Sequence, residues 1–369
     1  MRALGLMSGT SCDGVDAVLL ELRDVDVPHE PTVLGHIHYP FPPALQAELR
    51  DPTGLSLSRL AELHYELASR YATAVRALPQ WSSAEVCGMH GQTVWHAPPS
   101  RGPRTPTTFQ IGSSGALAQA LGCAVVGDLR AADIALGGEG APITPFAHWF
   151  FTPPGRAGRL VVNVGGIANF TYVAAALDDV VASDIGPGMM IVDAFARHVS
   201  GGTEACDRDG HLSRAGTPNV ALVDEVLRHP FFSRALPRST GREDFGEDYL
   251  GRLLDAYGPL PPADLVASAV EVAAREIVAF ADGALRGVTE IVLTGGGALH
   301  PGLLGRVREL ADPRPVVRHD SGPLAPLHHE PAAMALIAAR TLLRRPCGLP
   351  QVTGARRPAI LGHVYWPSI

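Results

Sequence analysis

The 369-residue chain contains no lysine; all 30 of its basic residues are arginine. That excludes a Walker-type P-loop, whose lysine reaches the β- and γ-phosphates. It also excludes Schiff-base and pyridoxal-phosphate chemistry. Any phosphate must be held by backbone N–H groups, hydroxyls, arginine and a metal. A GC-rich genome accounts for the missing lysine itself. Cysteine is scarce: five residues, scattered, with no CxxC pair. They read as reduced thiols of a cytosolic protein and not as zinc ligands. No apolar run reaches membrane-span length, and small polar residues from Ser8 onward interrupt any signal-peptide layout. A net charge of −7 leaves no basic footprint for nucleic acid. The 46% apolar and 18% charged content is that of a globular protein, and 369 residues are enough for two domains.

What the chain does have is glycine at strand ends. Leu4–Leu20 reads as strand, tight turn, strand, with Ser8, Gly9, Thr10, Ser11, Cys12, Asp13 and Gly14 in the turn. It is either an ordinary hairpin or an anion cradle of backbone N–H groups and hydroxyls. In the second case Asp13 and Asp16 could hold a cation beside the anion. The theme returns at Leu160–Val173, around Gly165 and Gly166, and the strand at Glu290–Leu293 runs into Gly295, Gly296 and Gly297. Two such hairpins, one near the start of each half, suggest duplicated domains facing each other across a cleft. The Gly-rich turn before a helix suits a ribose or an α-phosphate.

Other polar groups sit where α/β sheets place ligands, at strand ends. Val86–His90 leads into Gln92, Trp95 and His96, the last two either core and rim or substrate contacts. The strand ending at Gly127 is followed by Asp128, Arg130 and Asp133 within a glycine-rich loop, with Arg130 available for a carboxylate or phosphate. Asp184 lies at a strand end before Gly186-Pro187-Gly188, either an acid/base or a helix cap. Cys206–Gly210 resembles the start of an EF-hand loop, but the downstream glutamate is missing at the required spacing, so calcium is rejected. Helical spacing covers Pro43–Leu78 with a break near Pro52 and Gly54, Asp264 to about Leu285, and 331–344.

Three glycine turns in this order, without a Walker lysine, resemble the actin-like ATPase superfamily that includes sugar kinases. Six ordered motifs sharpen this: Gly9–Asp16, His90–His96, Gly127–Arg130 with Asp133–Pro142, Asn163–Asn169, Ser239–Glu243 and Thr294–Gly297. Together they resemble the anhydro-N-acetylmuramic acid kinases, from residue 4 to the C-terminus. The resemblance implies an α/β, actin-like (ribonuclease H-like) fold with two related domains around a nucleotide cleft. The domains are expected at 1–140, helped by the tail at about 345–369, and at 141–344.

The resemblance further implies that ATP and Mg²⁺ are used to open 1,6-anhydro-N-acetylmuramic acid and phosphorylate its O6. The setting is cytosolic peptidoglycan recycling, usually in a homodimer, with no nucleic-acid or membrane partner. Asp184 would be the base that activates water, with Glu330 positioning the water or sugar. Gly9, Thr10, Ser11, Cys12, Asp13, Gly14, Val15, Asp16, Gly165, Gly166, Asn169, Gly295, Gly296 and Gly297 would hold the nucleotide. Gln92, Trp95, His96, Asp128 and Arg130 would face the sugar, and Asp13 the metal. Four departures stand out: Ile185 and Met189 replace a hydroxyl and an amide beside the base, Leu129 replaces a phenylalanine, and Glu139 replaces a glutamine. A sugar kinase acting on a free hydroxyl, an inactive relative, and a non-enzymatic ATP switch are the other readings.

Overall fold

The computed structural model describes every residue except Thr10, Pro154, Arg286, 320–324 and Ile369, and leaves out the side chains of Arg242, Glu243 and Ala284. The chain divides into two compact units.

The first unit comprises Met1–Arg156, Ala175–Val180 and Ser321–Ile369. Its strands are β1 (Arg2–Met7), β2 (Gly14–Glu21), β3 (Thr32–Pro40), β4 (Val86–Met89), β5 (Gln92–Ala97), β6 (Thr107–Ile111), β7 (Ala124–Gly127) and β13 (His363–Tyr365). The main sheet runs β13-β7-β4-β1-β2-β3, and β5 and β6 form a separate hairpin. One face is covered by the helix Leu57–Arg76, whose Leu63, Leu67, Tyr71 and Val75 recur at helical spacing and are buried. Ser56 caps that helix, accepting from Arg59 N.

The other face carries the helix His329–Leu342, rich in alanine. It lies directly on β1 and β4 because both strands offer glycine there. A Cβ on Gly5 would sit 1.8 Å from Pro331 O, and one on Gly88 2.0 Å from Met334 O. The expected boundaries are therefore corrected. The segment 321–344 and the helix Pro145–Phe150 belong to the first unit, not to a second domain spanning 141–344. Chain order hides this, since the contact is made by glycines more than 200 residues upstream of the helix.

The second unit comprises Ala157–Ala174 and Val181–Asp320. Its strands are β8 (Arg159–Val164), β9 (Ala168–Val173), β10 (Val181–Gly186), β11 (Glu290–Thr294) and β12 (Val316–Val317), in the order β10-β9-β8-β11-β12. The helix Pro262–Ala279 is buried on most of its circumference among Phe170, Phe195, Val226 and Ile291.

The two sheets repeat one plan. In the first, β3, β2 and β1 pair antiparallel, then β4 and β7 join parallel. In the second, β10, β9 and β8 pair antiparallel, then β11 and β12 join parallel. This is the duplicated α/β architecture of the actin-like class. No described helix is long and apolar enough to cross a membrane.

Gly88→Ala should cost about 1–3 kcal/mol of stability or more, because backbone cannot yield as a side chain can. A denaturation midpoint equal to that of the parent would refute the close helix–strand contact.

Candidate active site

In the first unit, β1 and β2 are joined by the turn that holds Gly9–Asp13, with Cys12 at φ 56° and its N–H donating to Gly9 O. The turn is braced from beneath. Ser8 Oγ is buried 2.6 Å from Gln92 Oε1 and 3.1 Å from Gly14 O, and donates to one of them. Gln92 Nε2 donates to Gly9 O at 3.2 Å. Gln92 is 1% exposed and props the turn. Cys12 and Val15 point into the core and can offer a ligand only their backbone. Ser11 and Asp13 are exposed and joined by a 2.6 Å hydrogen bond. Asp16 is turned aside: its Oδ1 lies 3.2 Å from both His36 Nε2 and His38 Nδ1. Thr10 lies outside the described residues.

Arg130 follows β7 and is held from two sides. Its Nη1 donates to Gly140 O at 2.6 Å, and its Nε and Nη2 lie 3.0 and 2.7 Å from His90 Nε2. His90 Nδ1 lies 2.7 Å from the Gly91 carbonyl, which can only accept. The proton is therefore on Nδ1, and Nε2 accepts from Arg130. Burial and the Arg130 charge push His90 down to about 3, so it stays neutral. Burial draws Arg130 down to about 10, against the pull of Glu330 and Asp133, and it remains a cation at neutral pH.

His96, bonded through Nδ1 to Thr108 Oγ1, is likewise lowered to about 4 by burial and by Arg130 and Arg101. Trp95 is exposed on β5, its indole donating to Thr107 Oγ1. Asp128, at φ 55°, is exposed and pairs with His363 at 3.5 Å. Glu139, one of the departures, accepts from Ser100 N and Oγ and is committed to that loop. Leu129, another, is buried.

Glu330 occupies the first turn of the helix His329–Leu342. Burial raises its carboxyl to about 7, the Asp16 charge adds to this, and Arg130 opposes it. Glu330, Asp16 and Arg130 thus share one electrostatic neighbourhood, reached from three distant parts of the chain.

In the second unit, Asp184 lies two residues before the end of β10, opposite Asn169 of β9. Its Oδ2 accepts from Thr240 N at 2.9 Å and Ser239 Oγ at 3.2 Å. The following helix, Met190–Val199, has Met189 at its N-cap and no side-chain cap, so the helix-capping reading of Asp184 falls. Arg238 clamps this corner, donating to the carbonyls of Phe232, Ile185 and Asp184 with its guanidinium 4.4 Å from the Phe231 ring centroid.

Ile185 and Met189 are buried in the hydrophobic core of this unit. Met189 N and Met190 N donate to Gly165 O and Gly166 O, fixing the β8–β9 turn. Gly295 and Gly297 press on β8: a Cβ there would meet Asn163 Oδ1 at 2.3 Å and Val164 Cγ1 at 2.5 Å. Gly296 has open space above it. Asp207 accepts from Leu212 N and Ser213 N and lies 3.2 Å from His300 Nε2. Among the described residues, no group of three or more His, Cys, Asp or Glu is set to hold a metal ion.

Sequence reasoning did not single out the supporting shell. His90 lies inside the His90–His96 motif, whereas His36, His38 and Arg238 carry no pattern of their own. The side chains of Arg242 and Glu243, in the Ser239–Glu243 motif, lie outside the described residues.

A duplicated sheet with glycine turns at the ends of β1, β8 and β11, and no Walker lysine, fits the actin-like class, which includes sugar kinases. The family model for anhydro-N-acetylmuramic acid kinase matches residues 1–367. The anhydro-N-acetylmuramic acid kinase of Salinibacter ruber is 39% identical over 386 residues, covering 99% of this chain and 96% of the relative. That of Saccharophagus degradans is 35% identical over 375 residues, covering 99% and 98%. The chain belongs to the anhydro-N-acetylmuramic acid kinase family. Likeness to solved structures is looser. A component of the Acidaminococcus fermentans (R)-2-hydroxyglutaryl-CoA dehydratase has TM-score 0.48 and 12% identity over 93% of this chain and 99% of its own. A Streptomyces griseus ROK family glucokinase has TM-score 0.41 and 11% identity over 92% and 100%. Family membership rests on the sequence relatives.

Glu330 also makes stability pH-dependent. The folded protein keeps a proton, up to about pH 7, that the unfolded chain releases near 4.5. Between these values the folded state binds more protons, so stability falls as pH rises. Asp193, raised to about 6, and Glu276, raised to about 7, both mainly by burial, act in the same direction. Glu330→Gln should therefore flatten the fall in melting temperature between pH 5 and 7 in part; an unchanged slope would contradict the shift.

Proposed function

We propose that this chain is an ATP-dependent kinase that hydrolytically opens 1,6-anhydro-N-acetylmuramic acid and phosphorylates O6. The products are N-acetylmuramic acid 6-phosphate and ADP. The observation that carries this reading is Asp184. It stands at a strand end in the family's motif order, its carboxylate oriented by Thr240 N and Ser239 Oγ.

The bicyclic sugar has no free 6-hydroxyl. Asp184 takes a proton from water, the water oxygen bonds to C1, and the C1–O6 bond breaks. O6 carries away that electron pair and attacks the γ-phosphorus, and the bond to the bridging oxygen of ADP breaks. Base catalysis of this kind supplies ~10²–10⁴-fold; orientation and charge neutralisation supply the rest.

Backbone N–H groups of the Gly9–Gly14 and Gly165–Gly166 turns hold the phosphates, with Ser11 adding a hydroxyl. Asn169 sits beside the second turn, and Gly295–Gly297 lie against the nucleoside. Arg130, kept charged and aimed by neutral His90, anchors the lactyl carboxylate. Trp95, His96 and Asp128 contact the sugar, and Glu330 positions the water or the sugar. Asp13, the exposed acid of the first turn, would hold Mg²⁺, which would supply neutralisation of phosphate charge. The enzyme acts in the cytoplasm, in peptidoglycan recycling and amino sugar catabolism, as a homodimer, without nucleic-acid or membrane partners.

The test is ADP release with the anhydro-sugar, N-acetylmuramic acid and N-acetylglucosamine in parallel, with product mass. Turnover of the anhydro-sugar with gain of both water and phosphate is expected. Activity confined to a reducing sugar would mean a kinase for a free hydroxyl. Asp184→Asn should lower kcat by about 10²–10⁴-fold while ATP affinity stays within a few fold; near-normal turnover would remove Asp184 from this role.

A further inference from the structure

Two histidines converge on Asp16, and a third packs on one of them, on the sheet face that carries the helix His329–Leu342. β2 and β3 pair with Asp16 opposite His38 and Val18 opposite His36. Strand alternation puts Gly14, Asp16, Val18, His36 and His38 on this face, and Val15, Ala17 and Leu19 in the core beneath. His36 Nε2 and His38 Nδ1 converge on the same atom, Asp16 Oδ1, at 3.2 Å each. A carboxylate oxygen only accepts, so both rings present an N–H to it. The His36 ring packs on His328, with centroids 4.3 Å apart. The far edge of His38 covers Gly14, where a Cβ would lie 2.8 Å from both Cε1 and Nε2. The two imidazoles are thus wedged between the glycine turn and the start of the helix that carries Glu330.

We propose that His36 and His38 are positioning residues of this enzyme, clamping Asp16 Oδ1 from the edge strand and so holding the Asp16 carboxylate toward Glu330. The proposal rests on the role given to Glu330 above. His36 and His38 on β3 and Glu330 at the helix start face Asp16, while Asp13 in the turn acts on His38, His328 packs on His36, and Arg130 after β7 acts on Glu330. Burial pushes the Asp16 carboxyl up, but hydrogen bonds from the two imidazoles outweigh this and leave it below its ordinary value. Asp16 makes the corresponding bond in raising His38. Without the clamp, nothing on β3 opposes rotation of the Asp16 side chain, and Glu330 loses the negative neighbour that helps keep it protonated.

The test compares a His36→Ala/His38→Ala double variant with a His36→Gln/His38→Asn double variant, whose amide N–H groups replace those at Nε2 and Nδ1. In the sugar-dependent ADP assay the alanine pair should lose about 10- to 100-fold in kcat, the scale of hydrogen bonds to a charged group. KM for ATP should change less than about threefold on the same reasoning, and the amide pair should recover most of kcat. A crystal structure of the alanine pair should show the Asp16 carboxylate displaced. Unchanged kcat, no recovery by the amides, or loss of ATP affinity together with melting temperature would each overturn the proposal. So would an Asp16 that has not moved, whatever the activity. A parent enzyme inactive on the anhydro-sugar would overturn the functional reading instead, while the position of Asp16 would still decide the clamp.

Discussion

The first unit is arranged around one close contact, that of a helix backbone on two strands. Gly5 and Gly88 leave no side chain between β1, β4 and the helix His329–Leu342, and even one methyl group would collide with carbonyl oxygen. That contact fixes both the height and the direction of the helix. Its first turn then falls where Glu330 shares a neighbourhood with Asp16 and Arg130. A carboxyl there is partly desolvated and faces another negative charge, so it holds its proton to near neutrality. The raised carboxyl of Glu330 thus traces back to two glycines.

Around this frame, most polar side chains act as braces. Gln92 props the first glycine turn, Asp133 holds the loop that presents Gly140 to Arg130, and Arg238 ties the end of β10 to the Ser239–Thr240 loop. His90 illustrates the economy of the arrangement. Held neutral by burial and by its arginine neighbour, it accepts from the cation it orients, so it fixes Arg130 without cancelling the charge.

The motif departures show how local reading and packing differ. Beside Asp184, Ile185 and Met189 read as lost polar groups, yet both are buried in the core of the second unit. Strand alternation makes Ile185 face inward while its neighbour Asp184 does not. Glu139 reads as a charge against the substrate, but Ser100 takes up both of its oxygens. Conversely, Gln92, Cys12 and Val15 read as ligand contacts and are buried.

Sequence by itself determined the α/β class, the repeated strand–glycine–strand theme, the strands that carry Asp13, Arg130, Asp184 and Gly295, and the family. These are local properties: period-two and helical spacing, glycine where a turn needs it, and ordered motifs. The tertiary structure alone decided which side of each element faces inward, that the helix with Glu330 belongs to the first unit, and that His36 and His38 meet on Asp16. Those outcomes depend on strand register and on backbone contacts between residues hundreds of positions apart, and no local pattern encodes them.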